Sequence, residues 1–249
     1  MDAALHDAYG NLHGASSYHL LGADDLGWDL SRVLGPDVAG KYPGDYLRRE
    51  PVARVPISHT VGTADPLTAG DARDGVIPPL EDWIRTDGVW SFKVKLKGQD
   101  LDWDINRVIS VFQVARSVRQ DGQVHIFADL NEQAPSVEYI KALLDGIEAG
   151  DAGAWETLDA LEQPVPRHLG PGAPSLAEVS VRIPVVLDEG LTSLDSISQA
   201  RELGWSGIAL KTCKTQSLML LALARAQEEG LHGRWHPTHH SKNPRGIFR

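Results

Sequence analysis

VHIFADLN, residues 124–131, places Val124, Ile126, Ala128 and Leu130 on one side of an extended chain and His125, Phe127, Asp129 and Asn131 on the other, because strand side chains alternate. The apolar set suits a surface under helices. The other set, with Asp129 near its end, suits an interior. The same parity recurs along the chain. In SFKVKLKG (91–98), Phe92, Val94 and Leu96 point outward and Lys93 and Lys95 inward. In IPVVLDEG (183–190), Ile183, Val185 and Leu187 point outward and Asp188 inward; in GIALKTCK (207–214), Ile208 and Leu210 point outward and Lys211 inward. LDALEQPVP (158–166) closes its apolar run at Glu162. One acid or base per strand end, spaced by about one strand-helix unit of a barrel, brings five charged groups to one mouth.

Between these strands the periodicity is helical. Strands at 54–62, 91–96, 124–130, 157–162, 183–188 and 207–211 alternate with helices near 78–88, 102–120, 135–149, 195–203 and 216–229. That order predicts an α/β fold with parallel strands and helices outside, a (β/α) barrel of about six strands. DAALHDAYGNLHG reads as a short helix stopped by glycine, and 15–54, rich in Gly, Pro and Asp, as loop packed against something larger. Three regions result: a pre-barrel helix and irregular segment (1–53), a partial barrel carrying the charged groups (54–230), and an irregular basic tail (231–249).

The chain has 249 residues, 42% hydrophobic and 23% charged, with a formal charge of −10. These values suit one barrel-sized domain. They give no electrostatic reason to bind nucleic acid or an anionic membrane, both of which reward clustered Lys and Arg. The single cysteine, Cys213, excludes an internal disulfide framework. No apolar run reaches a membrane span, and MDAALHDAYG lacks the features of a signal peptide. A cytoplasmic location is expected.

A lone acid at a strand end is ordinarily a helix cap, and a lone lysine there is ordinarily solvated. Three acids forced together repel one another unless a cation neutralises them, and oxygen ligands without His or Cys point to Mg2+, with Mn2+ possible. A lysine acts as a base near neutrality only when like charge or desolvation lowers its pKa. Lys93, on the same face as Lys95, is expected to favour the neutral amine of Lys95. Lys211 approaches from the far side, and two bases on opposite faces would remove a proton from one side of a carbon and return it to the other. Lys97 and Lys214 read as solvated.

At these residues the chain resembles the enolase superfamily, in the mandelate racemase and muconate lactonizing enzyme group. The likeness rests on the K-x-K of Lys93 to Lys95, the D-x-N of Asp129 and Asn131, the E-Q-P of Glu162 to Pro164, the D-E of Asp188 and Glu189, and Lys211. It implies a modified (β/α)7β barrel with a capping domain, here largely absent. It implies Asp129, Glu162 and Asp188 as Mg2+ ligands, Lys95 and Lys211 as the acid/base pair, and Lys93 and Asn131 as substrate-binding groups, with Glu189 supporting them. The implied activity is abstraction of the proton next to the carboxylate of a small substrate, as a racemase, epimerase or acid-sugar dehydratase.

LHGRWHPTHHSKNPRGIFR (231–249) has no strand periodicity, four of the ten histidines, and four Lys/Arg with no acid. It reads like a foreign tail, and a truncated or frameshifted product is expected. His236, His239 and His240 are better read as a solvated tail than as a metal site. His59 and His125, on strands, are better read as packed or hydrogen-bonded. An open barrel leaves strand edges that favour a homo-oligomer. Two other functions stay open: a Schiff base on Lys211 in a lyase, and an inactive barrel that keeps only its metal motif.

Overall fold

The computed structural model describes residues 1–71, 77–119 and 121–231. In order its main elements are α1 (Asp2–His13), α2 (Ser31–Leu34), β1 (His59–Val61), α3 (Leu80–Asp87), β2 (Ser91–Lys95), α4 (Leu101–Val118), β3 (His125–Asp129), α5 (Val137–Gly150), α6 (Ala152–Thr157), β4 (Leu158–Glu162), α7 (Ala177–Ser180), β5 (Val185–Leu187), α8 (Asp195–Glu202), β6 (Gly207–Ile208) and α9 (Gln216–Glu228). The six strands form one parallel sheet in chain order, β1 to β6. Among the described residues β1 pairs only with β2 and β6 only with β5, so the sheet is open. No helix among them is long and apolar enough to cross a membrane.

The parity read from the sequence sorts the core into two layers. Phe92, Val94, Ile126, Ala128, Leu161, Val185, Leu187 and Ile208 are buried in the large cluster under the helices, with Val108, Leu143, Leu144 and Ile147. Each buried Val, Leu, Ile or Phe side chain among these contributes about 1.5–3 kcal/mol. On the opposite face Phe127, Ala160 and Val186, from β3, β4 and β5, form a separate small cluster with Ala209, which follows β6.

Local chemistry sets where each helix begins. Asp100 accepts a hydrogen bond from the Trp103 amide at 3.1 Å and starts α4; Ser136 accepts from the Tyr139 amide at 3.2 Å and starts α5. Asp104, fully buried in the first turn of α4, accepts from the Lys97 and Gly98 amides at 2.8 Å each and from the Tyr139 hydroxyl at 2.7 Å. It thereby fixes the loop leaving β2. Gly98 has φ +69°, and a Cβ there would stand 2.5 Å from the Gln133 backbone, so no larger residue fits where the β2 and β3 loops pass.

The segment before the sheet, expected to pack against something larger, docks on α9. Leu30, Leu34 and Val38 bury themselves against Ala224 of α9. Asp2 accepts from the amides of Gln216 and Ser217 at 2.7 and 3.1 Å, and Lys41 pairs with Glu228 at 2.7 Å. Several elements differ from expectation: β1 and β5 span three residues each where 54–62 and 183–188 were expected, and α2 lies in the stretch read as loop. Helix α6 fills the stretch just before β4, because Asp151 accepts from the Gly153 and Ala154 amides and caps it. Strand β6 is only two residues long, whereas 207–211 was expected. The tail 232–249, with His236, His239 and His240, lies outside the described residues.

Candidate functional site

The sheet register aligns the strand ends. Lys95 stands beside Asp129, Asp129 beside Glu162, and Glu162 beside Val186, two residues before Asp188. Lys93 lies one pleat below Lys95, and Lys211 follows the end of β6. All five strand-end groups named from the sequence, with Lys93, therefore meet at one mouth. Asp129 is fully buried, and Glu162 and Asp188 are only 4% and 5% exposed.

The amines and acids alternate around this mouth. Lys95 Nζ lies 2.6 Å from Asp129 Oδ2 and donates to Asn131 Oδ1 at 2.7 Å. Lys93 Nζ bridges Asp129 Oδ2 at 2.8 Å and Glu162 Oε1 at 2.6 Å. Lys211 Nζ bridges Glu162 Oε1 at 2.9 Å and Asp188 Oδ2 in a shorter contact. Lys214 closes the series, 3.1 Å from Asp188 Oδ1 and donating to the Asp188 carbonyl. Lys95 thus serves the Asp129 end and Lys211 the Glu162 and Asp188 end. The Asn131 amide is held between Lys95 and Glu189, to whose Oε1 it donates at 2.9 Å.

Burial, and then the charge of Asp129, raise the Glu162 carboxyl, outweighing Lys93 and Lys211. Burial also works against the Asp188 charge, yet hydrogen bonds from Lys211 and Lys214 bring its carboxyl down to about 2. Burial opposes the Lys211 charge as well. There the hydrogen bond to Asp188 and the charge of Glu162 prevail and hold the amine well above the ordinary lysine range. In this form Lys211 is an ammonium, an acid and not a base, because its carboxylate partners are too close for the amine to be neutral.

The chemistry of the donor set fits a hard divalent cation. Three buried carboxylates offer only oxygen; the buried Glu189 Oε2 receives no hydrogen bond, and Asp188 Oδ1 has only the Lys214 ammonium, 3.1 Å away. As the side chains stand, no three acid, His or Cys groups among the described residues surround a common point. Lys93 and Lys211 occupy the space between the acids, so a cation would take over oxygens that ammonium groups hold here.

Two residues escaped the sequence reading. Lys214 is not solvated; it lies on Asp188 because the turn after β6 (Thr212–Lys214) folds it back over the mouth. Gln163, fully buried behind Glu162, was given no role. A signal was present in the second case, since a Gln between an acid and a proline at a buried strand end needs partners for its amide. Lys97 is exposed as expected, its Nζ 3.9 Å over the Trp103 ring. His59 tilts against Trp83 at 5.1 Å, with burial lowering its pKa, and His125 Nδ1 bonds Asp159 at 2.8 Å. Both histidines are packed or hydrogen-bonded as expected. Asn131, Glu132 and Gln163 adopt φ of 42°, 71° and 35° shortly beyond Asp129 and Glu162, a backbone uncommon in non-glycine residues.

No protein-family profile matches the chain, and no curated protein matches it. Solved structures do. A mandelate racemase/muconate lactonizing protein from Herpetosiphon aurantiacus superposes with TM-score 0.56 at 24% identity, over 71% of this chain and 45% of that one. A mandelate racemase/muconate lactonizing enzyme from Roseiflexus sp. gives 0.55 at 21%, over 72% and 46%. A protein of the same description from Paracoccus denitrificans, complexed with magnesium, gives 0.54 at 18%, over 73% and 46%. The chain spans less than half the length of these proteins. The likeness establishes the fold alone: six strands and their helices are arranged as in part of these proteins.

Proposed function

We propose that the mouth binds Mg2+ or Mn2+ through Asp129, Glu162 and Asp188 and abstracts the proton next to the carboxylate of a small substrate, as an isomerase or as a lyase of the acid-sugar dehydratase type. The observation that carries this reading is the placement of Lys95 and Lys211 at opposite ends of one buried acid trio. A bound cation supplies a Lewis acid that stabilises negative charge developing on the substrate carboxylate.

The chain's own residues do the rest. Lys93, held between Asp129 and Glu162, places a fixed positive charge where that carboxylate would sit. Lys95 and Lys211 move the proton at their Nζ atoms, one from each end of the trio. Lys211 gives up its contacts with Glu162 and Asp188 when those oxygens turn to a cation, so cation binding and the freedom of this amine are coupled through the same oxygens. Asn131 keeps Lys95 oriented through its amide oxygen. Amines at both ends serve racemisation or epimerisation, and equally dehydration if one protonates a departing β-hydroxyl. A Schiff base on Lys211 would leave the buried acids Asp129, Glu162 and Asp188 without a role.

The test is exchange of the α-hydrogen for deuterium in 2H2O with Mg2+, over a panel of acid sugars, hydroxy acids and amino acids. Wild type should exchange at least one compound. Lys95→Ala and Lys211→Ala should each lower the rate about 10²-fold or more. No exchange across the panel leaves the metal-only barrel as the reading, and exchange that survives both substitutions removes the lysines from the chemistry.

A further inference from the structure

We infer that Gln163 is the positioning residue that sets Asp188 against Glu162; its consequence for metal affinity rests on the cation reading above, while its geometry does not. The backbone ladder between β4 and β5 pairs only Leu161 with Val185 and Glu162 with Val186. Strand β5 ends at Leu187, so no strand pairing holds Asp188. The Gln163 side chain replaces it. Its Oε1 accepts from the Asp188 amide at 2.8 Å and from the Gly190 amide at 3.0 Å, and its Nε2 donates to the Val165 carbonyl at 2.9 Å. Its backbone amide donates to the Val186 carbonyl at 2.9 Å, and its carbonyl accepts from the Glu132 amide at 2.8 Å.

One fully buried residue thus ties the ends of β3, β4 and β5 together. Asp188 then forms a tight turn, with its carbonyl accepting from the Leu191 amide at 2.9 Å. The requirement is chemically narrow. Two amide hydrogens need an acceptor and one carbonyl needs a donor at the same place, which a primary amide of this length satisfies. Glu offers no donor, Met offers neither group, and Asn falls one methylene short.

The test compares Gln163→Asn and Gln163→Met with wild type, using Ile140→Val, in the helix-side core, as a control of general destabilisation. Asn tolerates a left-handed backbone and keeps the variant foldable at φ 35°. Mn2+ binding is followed by the electron paramagnetic resonance of the free ion, and protection of the Asp188 and Gly190 amides by hydrogen exchange. Both Gln163 variants should bind Mn2+ about tenfold or more weakly and expose those two amides, with Ile140→Val matching wild type in both. Wild-type Mn2+ affinity together with protected amides in the Gln163 variants overturns the inference. If wild type itself binds no Mn2+, the cation reading fails, and amide protection alone decides: unchanged protection in Gln163→Asn overturns the brace.

Discussion

Lys93→Met should make the fold lean more heavily on divalent cation. Lys93 is 14% exposed and lies 2.8 Å from Asp129 and 2.6 Å from Glu162, both buried. At an effective dielectric of about 20, each contact is worth about 6 kcal/mol of gross Coulomb attraction. Desolvation of the ammonium cancels much of that. Methionine keeps the volume and abolishes the charge, leaving two carboxylates facing each other with less compensation. Removing one partner from a buried charge cluster costs about 3–5 kcal/mol, which for a chain of this size lowers Tm by roughly 6 to 20 °C.

The same substitution vacates the space between two proposed ligands, so Mg2+ should restore part of the loss. At 100 times its dissociation constant a ligand stabilises by about 2.7 kcal/mol. Thermal unfolding followed by circular dichroism, with EDTA and with excess Mg2+, reads both effects. Wild type should show the smaller metal-dependent shift, because the cation must first displace Lys93. A variant that melts with wild type in EDTA, or one that melts equally low with and without Mg2+, would refute the argument that Lys93 neutralises the acids in place of a metal.

Acid titration probes the opposite end of the mouth. The Asp188 carboxyl is lowered from 3.8 to about 2, so its stabilisation, about 2 kcal/mol, is fully present above pH 4 and lost as pH falls toward 2. Urea unfolding between pH 2 and 5 should show that slope in wild type, and Asp188→Asn should lack it; an identical slope in both sinks the assignment. Among the described residues β1 and β6 each have one edge without a strand partner; if these edges pair between copies, light scattering after size exclusion should give a mass above the 27.1 kDa of one chain. A monomer at micromolar concentration would show those edges to be covered otherwise.

Much of the sheet was legible because period-two parity survives tertiary folding when both faces are committed. Val124, Ile126, Ala128 and Leu130 had nowhere to go but under the helices, and Asp129 nowhere but inside. Helix α6 was hidden because Gly150 and Gly153 break the helical period, and its start depends on Asp151 turning back to cap its own neighbours. Lys214 was misread for a similar reason, since a three-residue turn and not a periodic element decides where its amine lands. The charge state of Lys211 was not legible at all. Sequence places it beside acids, but whether it is base or acid depends on contact distances that only the packed mouth reveals.

The clasp between the first residues and α9 bears on the order in which the molecule assembles. Asp2 reaches the Gln216 and Ser217 amides across more than 200 residues, and Lys41 and Tyr46 both reach Glu228. Strand-helix units can zip up from β1 onward using near neighbours, but residues 2–46 find their partners on α9 only once Gln216–Glu228 exists. Its closure entropy is therefore met late, after most of the sheet is in place. Ribosome-bound chains halted before Gln216 should leave residues 1–46 open to protease while the early strand pairs are already protected.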